Sequence, residues 1–124
     1  MIYPVPPCPK PRMTRADVWK KRPAVIRYRA FADAVRAAGV SIHPFGSHVT
    51  FHIQMPDSWS ESKKSAFDGH PHTQRPDIDN LLKALFDALF DDDSHITDIR
   101  ATKVWARTGA IEIELTEMEA TNGR

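Results

Sequence analysis

Apolar positions recur along the chain with two different periods. Between Ile26 and Ala38, the residues Tyr28, Phe31, Ala32, Val35 and Ala38 fall three and four apart and predict an amphipathic helix. Arg27, Arg29 and Arg36 lie off that stripe, and Gly39 stands where a C-cap glycine belongs. From His48 to Met55 the period drops to two. Val49, Phe51, Ile53 and Met55 take one face of a predicted strand; His48, Thr50, His52 and Gln54 take the other, solvent-facing one. Pro56, Asp57 and Ser58 open a short helix that runs to Phe67 and stops before Gly69. A further helix is predicted from near Asp79 to Phe90, with Leu81, Leu82, Leu85, Phe86 and Leu89 inward and Asn80, Lys83 and Asp87 on the opposite face. Two strands follow, Ile99 to Ala106 and Ala110 to Thr116, joined as a hairpin by a turn at Thr108 and Gly109.

The ends of the chain read differently. Pro4, Pro6, Pro7, Pro9 and Pro11 each remove a ladder donor, so an edge strand over Ile2 to Val5 is expected to run into an extended basic arm within residues 1–25. Residues 118–124 are polar and expected to fray. The whole pattern predicts one α+β domain over residues 1–124, a small mixed or antiparallel sheet packed against helices.

Composition narrows the function classes. A chain of 124 residues supports one secure core. It has no apolar run of membrane-helix length and no signal-peptide core, so a cytoplasmic protein without a membrane partner is expected. Cys8 is the only cysteine, which excludes an internal disulfide and a Cys-rich zinc site. The overall charge of +1 divides unevenly: residues 1–50 carry nine basic and two acidic side chains, a net of +7, and residues 51–124 carry eight against fourteen, a net of −6. A basic half attracts polyanions and an acidic half gathers cations, although two halves that fold together also neutralise each other.

The candidate chemistry lies in Arg75-Pro76-Asp77-Ile78-Asp79-Asn80-Leu81-Leu82-Lys83, with Asp91, Asp92 and Asp93 at the far end of the same helix. Two carboxylates 4 Å apart repel by about 1 kcal/mol in water and about 4 kcal/mol at an effective dielectric of 20, unless a cation or a shifted pKa compensates. All-oxygen donors favour a hard ion such as Mg²⁺ or Mn²⁺, and with a lysine alongside they make up equipment for phosphoryl transfer. Helix caps and a solvated turn account for the same aspartates without any metal. His48 and His52 share a strand face but have no third soft ligand, which favours a solvent-facing pair over a metal site. The spacing fits neither a PD-(D/E)xK nuclease, since Leu81 and Ala101 precede Lys83 and Lys103 by two, nor a His-metal nuclease built on His70 and His72.

RPDIDNLLKALFDAL followed by DDDSHI and Lys103 resembles the RusA family of Holliday junction resolvases. Pro9-Lys10-Pro11-Arg12, Trp59 with Lys63 and Lys64, and His72 are similar to its phage-type branch. The resemblance is strong from Trp59 to Lys103 and loose over the first fifty residues. It implies a homodimeric, Mg²⁺-dependent endonuclease, with Mn²⁺ as a substitute, that resolves four-way DNA junctions in recombination and repair. Asp77, Asp79 and Asp93 match the family's catalytic, metal-holding carboxylates, with Asp92 the neighbour of the third, and Lys83 matches its catalytic lysine. His95 stands where the family often has Gln, and Pro76 where some members carry a basic residue. Lys10, Arg12, Arg15, Lys63, Lys64, Arg75 and Lys103 are the expected DNA contacts. From another class, a non-catalytic or simply nicking DNA-binding protein of phage origin is the competing reading.

Overall fold

Pro23 starts the first helix, because its fixed φ suits the first helical turn and the N–H it lacks has no partner there. The fold is taken from a computed structural model, which describes residues 1–12 and 22–116. The elements are β1 (Ile2–Tyr3), α1 (Pro23–Ala37), β2 (Ser47–Gln54), α2 (Glu61–Phe67), α3 (Ile78–Leu89), β3 (Ile99–Ala106) and β4 (Ala110–Leu115). Helix α1 thus begins inside the stretch expected to be arm. It ends before Gly39, whose φ of 72° is the left-handed conformation that a C-cap glycine supplies. Helix α2 is shorter than expected: Ser60, not Ser58, is its cap, accepting from the Lys63 N–H at 3.1 Å.

The four strands form one mixed sheet in the order β1-β4-β2-β3, antiparallel at β1/β4 and β4/β2 and parallel at β2/β3. This corrects the expected hairpin: β3 and β4 are not neighbours but flank β2. Residues 107–109 step over the end of β2, a crossing of about 10 Å that three extended residues can span. Gly109 is needed there for proximity, since a Cβ on it would sit 2.9 Å from the Pro6 Cβ. The Asp91–Ile99 return and the β2–α3 connection supply the length that a parallel β2/β3 pairing demands.

Helices α1 and α3 cover one face of the sheet. Phe31 and Val35 of α1 and Leu81, Ala84, Leu85 and Ala88 of α3 meet Val49, Phe51 and Ile111 in the core. Burial of each larger side chain contributes roughly 1.5–3 kcal/mol. The α3 stripe centres on Leu81, Leu85 and Ala88, leaving Leu82, Phe86 and Leu89 half-buried at its flanks. The other sheet face is polar and not simply solvated: His48 Nε2 lies 2.9 Å from Thr102 Oγ1, and His52 Nε2 lies 3.0 Å from Glu112 Oε1. Among the described residues no helix is long and apolar enough to cross a membrane.

Candidate active site

Helix α3 carries the candidate residues at its two ends and along its polar face. Asp77 occupies the N-cap position with extended backbone, φ −71° and ψ 146°, but its side chain makes no capping hydrogen bond. A carboxylate that was merely a cap would accept from an N–H of the first turn. The Asp77 carboxylate is instead exposed and unengaged among the described residues. Asp79, in the first turn, is also exposed and accepts from the Asn80 N–H at 3.0 Å through one oxygen.

Two shallow grooves meet at Asn80. One, of about 560 Å³, is lined by Pro9, Arg75, Pro76, Asp77 and Asn80. The other, of about 410 Å³, is lined by Lys10, Pro11, Arg12, Asn80 and Lys83. The structure therefore lays Lys10, Pro11 and Arg12 of the basic arm along the polar face of α3, beside the aspartates. Two bonds hold it there. The Lys10 N–H donates to the Asn80 carbonyl at 3.2 Å, and Lys10 Nζ pairs with Asp87 at 2.6 Å. Asp87 also accepts from the Tyr28 hydroxyl at 2.9 Å, tying α1 to the same point. Burial pushes the Asp87 carboxyl up, but Lys10 and Tyr28 outweigh it and hold the group below its usual range. Burial and the same hydrogen bond push Tyr28 up to about 12.

The expected DNA contacts divide accordingly. Arg12 and Lys83 line the basic groove and Arg75 lines the groove of Asp77. Lys10 is committed to Asp87. Lys63 lies over the Trp59 ring at 4.1 Å, in a cluster where Trp59 meets Trp105 at 4.8 Å and Phe67 at 5.3 Å. Lys64, on the same helix, is half-buried. Lys103 is half-buried, and its ammonium donates to the carbonyls of Gln74 and Pro76 at 2.5 and 2.6 Å. Arg15 lies outside the described residues.

The third carboxylate is elsewhere. The twelve residues of α3 put about 18 Å between the Asp77 end and the Asp91–Asp93 turn. Among the described residues no three His, Cys, Asp or Glu side chains are grouped to hold a metal. One chain thus offers two hard-oxygen donors at one end of α3 and further aspartates at the other, a donor set of the right chemistry that is divided. Within the turn the aspartates differ. Asp92 accepts from the Ser94 N–H at 2.9 Å, which lowers its pKa; Asp93 has no side-chain partner among the described residues.

Sequence reading passed over Asn80, Asp87 and Tyr28 as site-building residues. The signal for two of them was present, since Asn80, Lys83 and Asp87 share one face of α3. Nothing in the spacing pointed to Tyr28 or to the carbonyls of Gln74 and Pro76.

Comparison with known proteins identifies the family of the chain. The chain is 26% identical over 125 residues to the uncharacterized protein YqaN of Bacillus subtilis, an alignment covering 90% of this chain and 88% of that one. No solved structure matches significantly. The family model described as Endodeoxyribonuclease RusA matches residues 4–116, all three helices and every strand from β2 onward included, and the chain belongs to that family.

Proposed function

We propose that this protein is a divalent-cation-dependent endonuclease that resolves four-way DNA junctions by paired incisions, acting as a homodimer. The observation that carries the reading is the juxtaposition at the start of α3: an unengaged Asp77 carboxylate and Asp79 beside a groove lined by Lys10, Arg12 and Lys83. Carboxylates and cations held this close, in the open, suit a phosphodiester that brings its own negative charge. Asp77, Asp79 and Asp93 are the residues that would hold Mg²⁺ or Mn²⁺. When bound, such an ion supplies charge neutralisation at the scissile phosphate and an activated water. Arg12 and Arg75 bind and orient the backbone. Lys83, exposed and unpaired among the described residues, offsets the charge that develops on the phosphate oxygens.

The division of the carboxylates between the ends of α3 supports the dimer. Two copies related by a two-fold axis can bring the Asp93 of one to the Asp77 and Asp79 of the other, and two such composite sites match the two incisions that a junction needs. The same division also favours a second reading, a DNA-binding or nicking protein whose carboxylates never gather.

Cleavage of a synthetic four-way junction separates the two. Wild-type protein with Mg²⁺ is expected to release two nicked duplexes, and Asp77→Asn is expected to bind the junction as well or better and to cut nothing. Junction binding without metal-stimulated cleavage by the wild type would establish the second reading instead.

A further inference from the structure

Lys103 bonds to one short segment three times. The segment 69–72 runs antiparallel along the outer edge of β3: the Gly69 N–H donates to the Trp105 carbonyl at 2.9 Å, the Trp105 N–H to His70 at 2.9 Å, and the His72 N–H to the Lys103 carbonyl at 3.1 Å. Past His72 the side chain of Lys103 takes over. Its ammonium reaches the carbonyls of Gln74 and Pro76. Residues 72, 74 and 76 are thus all held by residue 103, and the next residue is Asp77. Two of the three donors of the ammonium are engaged here.

The stem of Lys103 leaves the sheet on its helix-covered face, in register with buried Phe51. His72 fills the space beside it. This imidazole is 4% exposed, lies 4.3 Å from the Trp105 ring centre, and has no hydrogen-bond partner for Nδ1 among the described residues. The surroundings of the clamp are therefore apolar on one side, where carbonyl dipoles hold an ammonium more tightly than in water.

We propose that Lys103 is a positioning residue, an ammonium clamp on the carbonyls of Gln74 and Pro76 that sets where Asp77 and Asp79 enter the active site, and not a DNA phosphate contact. Its catalytic consequence rests on the nuclease reading above; the clamp itself does not. The two carbonyls fix the position of the ammonium beside the loop that carries the aspartates, so drawing it away to a DNA phosphate would release that loop.

The test uses the full-length protein. Lys103→Met keeps the stem and removes the charge; Lys103→Arg keeps the charge. Amide hydrogen exchange without DNA or metal is expected to be at least about ten-fold faster over residues 73–81 in Lys103→Met, close to wild type in Lys103→Arg, and unchanged over β2 in both. Unchanged exchange over residues 73–81 in Lys103→Met overturns the clamp. In the wild type, which needs no variant to fold, Lys103 is expected to react with acetic anhydride at least about ten-fold more slowly than exposed Lys83; equal reactivity also overturns it. The salt dependence of junction binding by Lys103→Met should match wild type, and a slope reduced by about 0.9 would mark a phosphate contact and defeat the proposal. Cleavage by Lys103→Met should require more Mg²⁺ for half-maximal rate, with Lys103→Arg restoring it. If the wild type cuts no junction with Mg²⁺ or Mn²⁺, the nuclease reading falls, and exchange and acetylation still decide the clamp.

Discussion

The two ends of α3 are built by opposite means. At the start, the loop from Gly69 to Pro76 is zipped to β3 and clamped by Lys103, Lys10 of the arm is bonded to Asn80, and the Asp77 side chain at the N-cap position makes no capping bond. At the finish, Arg36 Nε donates to the Ala88 carbonyl at 2.8 Å, which closes the helix, and the chain then leaves through exposed Asp91, Asp92 and Asp93. One end is held by tertiary contacts from three directions. At the other, tertiary bonds flank the aspartates, Arg36 before them and the Pro44 carbonyl after them, and the aspartate turn itself is held by local bonds, Asp92 to Ser94 and the Ile96 N–H to the Asp93 carbonyl. On the proposed reading, the difference teaches that a single chain anchors the loop bearing two of the carboxylates and presents the third on an exposed turn, where a second copy can meet it.

The sharpest way to break that comparison is to divide the site between two variants. Asp77→Asn and Asp93→Asn are each expected to abolish junction cleavage. If the carboxylates combine across a dimer, a mixture of the two variants contains heterodimers with one intact site, and nicking of one strand should return. If all three act within one chain, every site in the mixture is damaged and no activity returns. Asp92→Asn belongs in the same experiment. Its oxygen serves the turn, so it should lower cleavage less than Asp93→Asn does, with activity measured on the same junction.

Next in size is Lys83. Losing one electrostatic contact to a transferring phosphate typically costs about 10²- to 10³-fold in rate. Lys83→Ala should therefore lower cleavage by about that factor, with little change in Tm, because the side chain is exposed and has no protein partner among the described residues. A large fall in Tm would make Lys83 a structural residue and weaken the contrast between the prepared and the presented ends.

Much of this was legible in the residues themselves. The two-residue period of β2 and the stripe of α3 were strong enough to place both elements within a residue or two, and the RPDIDN segment singled out the aspartates that stand at the start of α3. The strand order was not legible. Ile99 to Ala106 and Ala110 to Thr116 read as a hairpin because they are adjacent, alternate, and have Gly109 between them, yet β3 and β4 both pair with β2. Short-range pattern cannot distinguish a turn glycine from one that lets Pro6 approach. The basic arm was legible as charge but not as partners. Lys10 and Arg12 look equivalent in sequence, and only the fold gives one of them Asp87.

That inequality makes the third prediction. Arg12→Ala should flatten the salt dependence of junction binding by about 0.9 in log–log slope, because it removes one phosphate contact. Lys10→Ala should leave the slope near that of wild type. It breaks an ion pair in which both side chains are over a third exposed, so its stability cost should stay below about 1 kcal/mol. The paired titrations, run from 50 to 200 mM salt, check both at once. Equal flattening by the two variants would mean that Lys10 leaves Asp87 when DNA arrives and that the arm is less fixed than its bonds imply.

The smallest effect expected is one of pH on the rigid end. Burial, followed by the Lys103 charge, pushes the His72 pKa below its ordinary 6.5. The unfolded chain therefore takes up a proton at His72 as pH falls through about 6.5, while the folded chain resists it. Stability present above that pH is lost as the solution is acidified, and the loss stops once the pH passes below the folded-state pKa. One such group gives a slope of no more than about 1.4 kcal/mol per pH unit. Denaturant unfolding of the wild type between pH 7.5 and 5 should show this component, and His72→Phe, which keeps the ring against Trp105, should lack it. Identical pH profiles in the two proteins would mean that His72 protonates in place, and that the wall beside the Lys103 clamp is wetter than its 4% exposure indicates.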